Sequence, residues 1–488
     1  MMRRLSAVAC LLCLLSLFAL GCGALHPREH SEDEESVLLP TAYHITAELL
    51  PKERALSTRT EIVYSVPSDG ISAIKLRLYA NVYREGNEVV TTEKKAQAYG
   101  SAGENYGGAE ITKAESDAPL LDHTLGQNDT TLTLRFGRSF ARGERVSFTI
   151  ETRVTLARIR HRLGYYDGYY SLSCFYPEVC PFRDGKYVAY DYTPYGDPFL
   201  RDVADFTLDL TLPATYECAC SAVENLRDYQ GTIAHYSYAL QGARDLAFVA
   251  SHKLRYRSAS VGDIPIRYYF EKDESPSRTL DRITRSVALY QELFGAYPYP
   301  SYTVAVAPFF EAGIEHSGLS VISDALSDTD RRRTVLHETA HQWWYGKVGS
   351  DEYLHPWIDE GLAEYGVACY YRAEGSDAAY RTMIARAEDD FAIRLALEGS
   401  EGARFDRPLS ELAEGYDDRV YSGGLLLFSS LAEKVGFDAF HAALRTFAER
   451  YDGEVASPED LIRTLSESLC EDYTDYFRLW TTATLPIP

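Results

Sequence analysis

Two histidines four residues apart, His337 and His341, enclose Glu338 in the stretch "VLHETAHQWWYG". In an α-helix that spacing stacks both imidazoles on one face, one turn apart, where they can hold a single ion. Glu338 lies at the flank of that face, within reach of a water beside the ion without being a ligand itself. A third donor must come from elsewhere, and Glu360 in "WIDEGLAEY" follows His341 after 18 intervening residues. That is enough chain for the first helix to end near Gly346 or Gly349 and for a second to return beside it. Two histidines and a glutamate make the open three-ligand set of catalytic zinc, with the fourth position left for water, so one Zn2+ per chain is the expected cofactor. Glu364, four residues beyond Glu360, faces the same way. It is placed to accept a hydrogen bond from the outer nitrogen of either histidine, the alternative being an ordinary solvated helix carboxylate.

The elements that position these residues change character near residue 255. Before it, "YHITAELL", "AIKLRLYANVY", "TLTLRF", "RVSFTIETRVTL" and "DFTLDLTLP" each place apolar residues at every second position, as half-buried strands do. The Gly-containing stretch between the second and third, including "GSAGENYGGAEIT", reads as an irregular excursion. After residue 255 one more strand, "IPIRYYF", leads into helices. In "SRTLDRITRSVALYQELFG" the apolar residues recur every three or four positions and Gly295 ends the run. "GLLLFSSLAEKVG" and "DAFHAALRTFAERY" read as packed helices, and "SPEDLIRTLSESL" opens with Ser457 as N-cap and Pro458 in the first turn. The expectation is a multidomain chain, with an all-β N-terminal domain over 38–254 followed by a mostly helical α/β domain over 255–488. No internal repeat is visible.

A chain of 488 residues is long enough for two or three domains with a deep cleft between them. Its 49 Lys and Arg against 72 Asp and Glu give a net charge of −23, which works against binding nucleic acid. Residues 1–22 read as a leader: Arg3 and Arg4 precede the apolar run "LSAVACLLCLLSLFAL", which closes in "ALGC". The small residue before Cys22 resembles a bacterial lipobox, which implies lipidation of Cys22, an acidic tether over 23–37, and export to the bacterial cell envelope on a lipid anchor; a plain cleaved signal or a single N-terminal anchor is the alternative. Six cysteines remain beyond the leader, an even number in a disulfide-permissive compartment, with no readable pairing. Cys218-Ala-Cys220 is too tightly spaced for a zinc motif. Oligomeric state is not readable.

"HETAHQWWYGKVG", followed at the 18-residue spacing by "WIDEGLAEY", resembles the gluzincin aminopeptidases of the aminopeptidase N type. Upstream, "EAGIEHSG" resembles that family's Gly-Ala/Gly-Met-Glu-Asn strand, with Ala312, Gly313, Ile314, Glu315 and His316 at its five positions. Downstream, "DRVYSGGLLLF" resembles the segment carrying the family's catalytic tyrosine, which falls on Tyr421. The resemblance is weaker in the β half, where "FYPEVCPFRDGKYVAYDYTPYGDPFLRDVADFTLDLTLP" matches the segment crossing the family's saddle-shaped N-terminal domain. It implies a saddle-like β domain followed by a thermolysin-like catalytic domain. Three positions depart: Ile314 replaces Met, His316 replaces Asn, and Gly423 stands where the family has Lys. Only 67 residues follow Tyr421, so a short form without the family's large C-terminal helical domain, and with a more open cleft, is expected.

The implied activity is removal of the N-terminal residue from peptide substrates. Glu338 would pass a proton from the attacking water to the departing amine. Tyr421, with Tyr416 as the alternative, would stabilise the oxyanion. Glu315, with Glu311 close by, would pair with the substrate's α-ammonium group, while the backbone around Gly313 meets the extended peptide. Two other readings stay open: a zinc endopeptidase with an open cleft, and a surface lipoprotein that binds peptides without cutting them.

Overall fold

The computed structural model describes residues 38–483. The leader, Cys22 and the acidic stretch 23–37 lie outside the described residues. Within them the N-terminal part is β-rich and the C-terminal part is helical, and one continuous apolar core runs through both. No helix among the described residues is long and apolar enough to cross a membrane.

Strict alternation builds the main sheet. In Thr41–Leu50 the residues Tyr43, Ile45, Ala47 and Leu49 are buried and their neighbours face outward. This strand lies between Ala55–Ser65, antiparallel, and Ala204–Pro213, parallel, in a seven-stranded sheet. The stretch read as an irregular excursion is partly strand. Gly108–Ser116 forms one edge of that sheet and Leu120–Gly126 the edge of a four-stranded one. Both are largely exposed, so their composition is polar and no alternation marks them.

A second four-stranded sheet ends in Phe248–Ser251, and the next strand, Arg255–Val261, opens the five-stranded sheet of the helical part. That sheet runs Arg255–Val261, Ile264–Phe270, Tyr302–Ala307, Leu319–Ser323, Gly313–His316, so it holds three strands beyond Ile264–Phe270, read from its pattern, and Gly313–His316, implied by the resemblance. Gly313–His316 is its edge, paired among the described residues only with Leu319–Ser323.

The six described cysteines are unpaired, and all but Cys470 are buried. Helices Pro276–Phe294, Gly423–Val435 and Phe437–Arg450 match the periodic runs, and Pro458–Leu469 opens with a capping box between Ser457 and Asp460.

Candidate metal centre

His337 and Glu338 sit in the last turns of helix Asp328–Ala340, whose N-terminus is capped by Ser327 accepting from the Asp330 N–H. Every residue from Thr334 to Ala340 is buried. His341 is the C-cap, still in helical conformation, so the four-residue stacking holds although the helix ends earlier than Gly346. The chain instead winds on in irregular turns, Gly346, Lys347 and Val348 each donating to the carbonyl five residues back. Tyr345 there takes a φ of 145°, a region unusual for a side-chain-bearing residue. Gln342, which the sequence did not single out, pins this turn to the sheet: its amide donates to the His316 carbonyl (3.0 Å) and accepts from the Gly318 N–H (2.9 Å).

Glu360 lies on helix Trp357–Ala373, which is buried on all sides from Trp357 to Tyr370. Two glycines let its neighbours close in. A Cβ on Gly366 would fall 2.8 Å from Ala340 Cβ of the histidine helix, and one on Gly361 would fall 2.9 Å from Gly424 Cα. Glycine inside a helical pattern is a signal of close backbone approach, legible in "DEGLAEYG" and "SGG".

The three donors converge. His337 Nε2 lies 3.1 Å from Glu360 Oε2 and 3.0 Å from His341 Nε2, and His341 Nε2 lies 3.3 Å from the same oxygen. Ligand atoms about 2.0–2.1 Å from one ion at tetrahedral angles stand roughly 3.3–3.4 Å apart, so the set fits zinc. The outer nitrogens are occupied as a metal site requires. His341 Nδ1 is 2.9 Å from the Trp344 carbonyl, and His337 Nδ1 is 3.0 Å from Glu364 Oε1, off line for a straight hydrogen bond. Arg333, also unforeseen, holds the other oxygen of Glu364 at 2.5 Å.

The electrostatics favour positive charge between these groups. Burial would push the His337 imidazole down, but Glu360 and Glu364 outweigh it and hold it at about 9. Glu315 and Glu360 likewise lift His341 well above its usual value against the effect of burial. The Glu360 carboxyl is held well below its usual range by the two imidazoles, against the effect of burial. Burial lifts Glu338 to about 7. Its carboxylate packs against Gly313, where a Cβ would fall 2.4 Å from Oε1.

Glu315 is 8% exposed and makes no hydrogen bond or ion pair among the described residues, yet offers an oxygen within 4.8 Å of donor atoms of Glu338 and His341. Burial, with Asp197 adding like charge, pushes its carboxyl well up. Asp197 is itself ion-paired to buried Arg162. Glu311 is turned to Lys94 (3.3 Å). Tyr421 donates to Glu360 Oε1 at 2.7 Å, and the Tyr416 ring lies 5.7 Å from the Tyr421 ring.

The departures have physical partners. His316 Nδ1 lies 2.6 Å from Asp245, whose carboxyl, despite burial, His316 and Arg201 hold down at about 2. Gly423 faces Phe405 and Phe391, which fill the space beside it.

Residues 278–480 match the Peptidase family M1 domain, and this is the segment that supplies all of these donors. Over this segment the chain is similar to the M1 peptidases. Aminopeptidase M1-B of Oryza sativa subsp. japonica is 27% identical over 234 residues, 44% of this chain and 26% of that protein. Aminopeptidase N of Streptomyces lividans is 27% identical over 207 residues, 39% of this chain and 24% of that protein. The chain thus matches about a quarter of the length of these curated relatives. An M1 zinc metallopeptidase from Deinococcus radiodurans shares the fold across nearly the whole chain, with a TM-score of 0.68 at 20% identity, covering 92% of this chain and 95% of that one. A mutant of that enzyme bound to a Tyr-Ser-Ala substrate has a TM-score of 0.65 at 19% identity, covering 92% and 96%. The similarity to M1 zinc peptidases agrees with the donor set, and zinc is the metal it implies.

Proposed function

We propose that this chain is an aminopeptidase holding one zinc ion on His337, His341 and Glu360, and that it releases the N-terminal residue of peptides. The observation that carries the reading is Glu315. A buried carboxylate with no hydrogen bond or ion pair among the described residues, a few ångströms from the metal donors, is costly unless a cation meets it, and the α-ammonium of a peptide is the cation that such a cleft receives. Pairing there fixes the first peptide bond over the metal and disfavours substrates lacking a free amine.

His337, His341 and Glu360 would hold the zinc ion, which when bound would supply Lewis acidity to the scissile carbonyl and to the attacking water. Glu338, beside the donors and backed by Gly313, takes the proton of the attacking water and delivers it to the departing amine. Tyr421 stands at the ligand carboxylate with a phenolic hydrogen to offer to the oxygen that gains charge. Glu364 and the Trp344 carbonyl keep the two imidazoles facing the ion. The unpaired outer side of strand Gly313–His316 is placed to take the substrate backbone as an added strand.

A time course of an unblocked decapeptide, followed by mass spectrometry, tests this. Stepwise loss of residues from the N-terminus is expected, abolished in Glu338→Gln with zinc retained; internal cuts would favour the endopeptidase reading, and no cuts the peptide-binding one. Anchoring in the cell envelope through lipid on Cys22 belongs to the same proposal and rests on the N-terminal sequence alone. Mass spectrometry of the mature N-terminus checks it, and an unmodified or internal N-terminus would remove it.

A further inference from the structure

A cavity of about 560 Å3 lies away from the metal donors, between strands Thr41–Leu50 and Ile71–Arg77 and the loop over Gly453–Val455. Tyr43, Tyr64, Tyr79 and Tyr176 give it aromatic walls. Arg77 enters it from the end of its strand. The residue is only 6% exposed, and its guanidinium makes no hydrogen bond or ion pair among the described residues. It faces the Tyr79 ring, 5.4 Å from Cζ to centroid, and feels Glu178 only through space.

The groups that would be expected to neutralise Arg77 are committed elsewhere. Glu178 is directly opposite it across the strand pair, yet both of its oxygens go to Arg201, at 3.1 and 3.3 Å. Asp202 is taken by Arg183. Arg244, also in the wall, bonds to carbonyls of Arg201, Tyr345, Lys347 and Glu454 and to no carboxylate. Four guanidiniums line the cavity against three carboxylates, one of them the exposed Glu454, and Asp245 lies behind Arg201 at 3.8 Å, which leaves Arg77 as the guanidinium with no hydrogen bond or ion pair among the described residues.

Arginine cannot shed its charge, and a buried guanidinium left without acceptors is a costly arrangement. Its planar fork matches a carboxylate, and the surrounding rings match an apolar or aromatic body. We propose that this cavity binds a carboxylate-bearing ligand of about amino-acid to dipeptide size, with its carboxylate on Arg77 and its apolar side chain among the tyrosines. The proposal does not depend on the peptidase reading, because none of these residues belongs to the metal centre.

Calorimetric titration of the full chain with N-acetyl-L-phenylalanine, and with its amide, tests the site. The acid is expected to bind, and the amide to bind roughly tenfold or more weakly, since a charged hydrogen-bond pair is lost. Arg77→Gln should weaken the acid by a similar factor and Arg77→Lys by less, while Glu338→Gln leaves it unchanged. Equal binding by Arg77→Gln, equal binding of acid and amide, or no binding up to the solubility limit overturns the proposal. Should the Arg77 variants misfold, wild-type crystals soaked in 4-bromobenzoate decide it: bromine in this cavity supports the site, and its absence there overturns it.

Discussion

Gly424→Ala tests how the metal ligand and its tyrosine are held together. Gly361, next to the ligand Glu360, and Gly424, three residues beyond Tyr421, meet where their two helices cross. A Cβ on Gly424 would fall 2.7 Å from Gly361 Cα and 3.3 Å from the Trp357 carbonyl. Carbon atoms rest at roughly 3.5–4.0 Å, so the helices must part by about 0.8 Å or more. Both lie in a filled core, where such overpacking costs about 1–3 kcal/mol. The same movement acts on the 2.7 Å bond from Tyr421 to Glu360. A displacement near 1 Å at reacting groups lowers rates by about 10²-fold, so kcat should fall by one to two orders of magnitude. The assay is kcat on an unblocked aminoacyl substrate, with zinc content and a thermal melt measured on the same preparation. Zinc should stay near stoichiometric, because Glu360 Oε2 faces the histidines and not the crossing. A variant with wild-type kcat and melting temperature would refute the idea that the glycine contact sets the spacing.

Tyr421→Phe removes the phenol without moving a helix. It should lower kcat by about 10²–10³-fold with KM little changed, and an unchanged kcat would pass the role to Tyr416. Glu364→Gln takes the carboxylate from His337 and Arg333, and zinc affinity by chelator competition should weaken about 10–100-fold; equal affinity would make Glu364 a mere helix carboxylate. His441, wedged between Tyr365 (2.9 Å) and Cys369 (3.5 Å), is pushed by burial down to about 4 from 6.5. It stays neutral in the folded chain while the unfolded chain takes up a proton, so its contribution is whole above pH 6.5 and is lost as pH falls toward 4. Melting temperatures across that window should fall less steeply for His441→Gln than for wild type, and parallel curves would contradict this.

What the sequence disclosed was whatever local geometry encodes. A four-residue spacing on a helix brings His337 and His341 together wherever that helix lies, and the turn back to Glu360 needed only adequate chain length. The end of the histidine helix was misplaced for a tertiary reason. Trp343, Trp344 and Tyr345 are almost fully buried, and their packing bends the backbone into irregular turns that apolar periodicity does not register. Val223–Gln230, Arg255–Val261 and Leu120–Gly126 were missed because their exposed side chains carry no alternation. Arg333 and Gln342 gave no signal, since nothing in their neighbourhood shows that Glu364 or the Gly318 amide lies across from them. Gly361 and Gly424 did give one, as glycines inside helical patterns.

The most direct measurement compares one unmodified peptide with its N-acetylated twin, using zinc-loaded wild type and Glu315→Gln. Wild type should remove the first residue of the free peptide only, and Glu315→Gln should lose most of that activity with its zinc intact. Equal cleavage of both peptides by wild type, or full activity in Glu315→Gln, would contradict this.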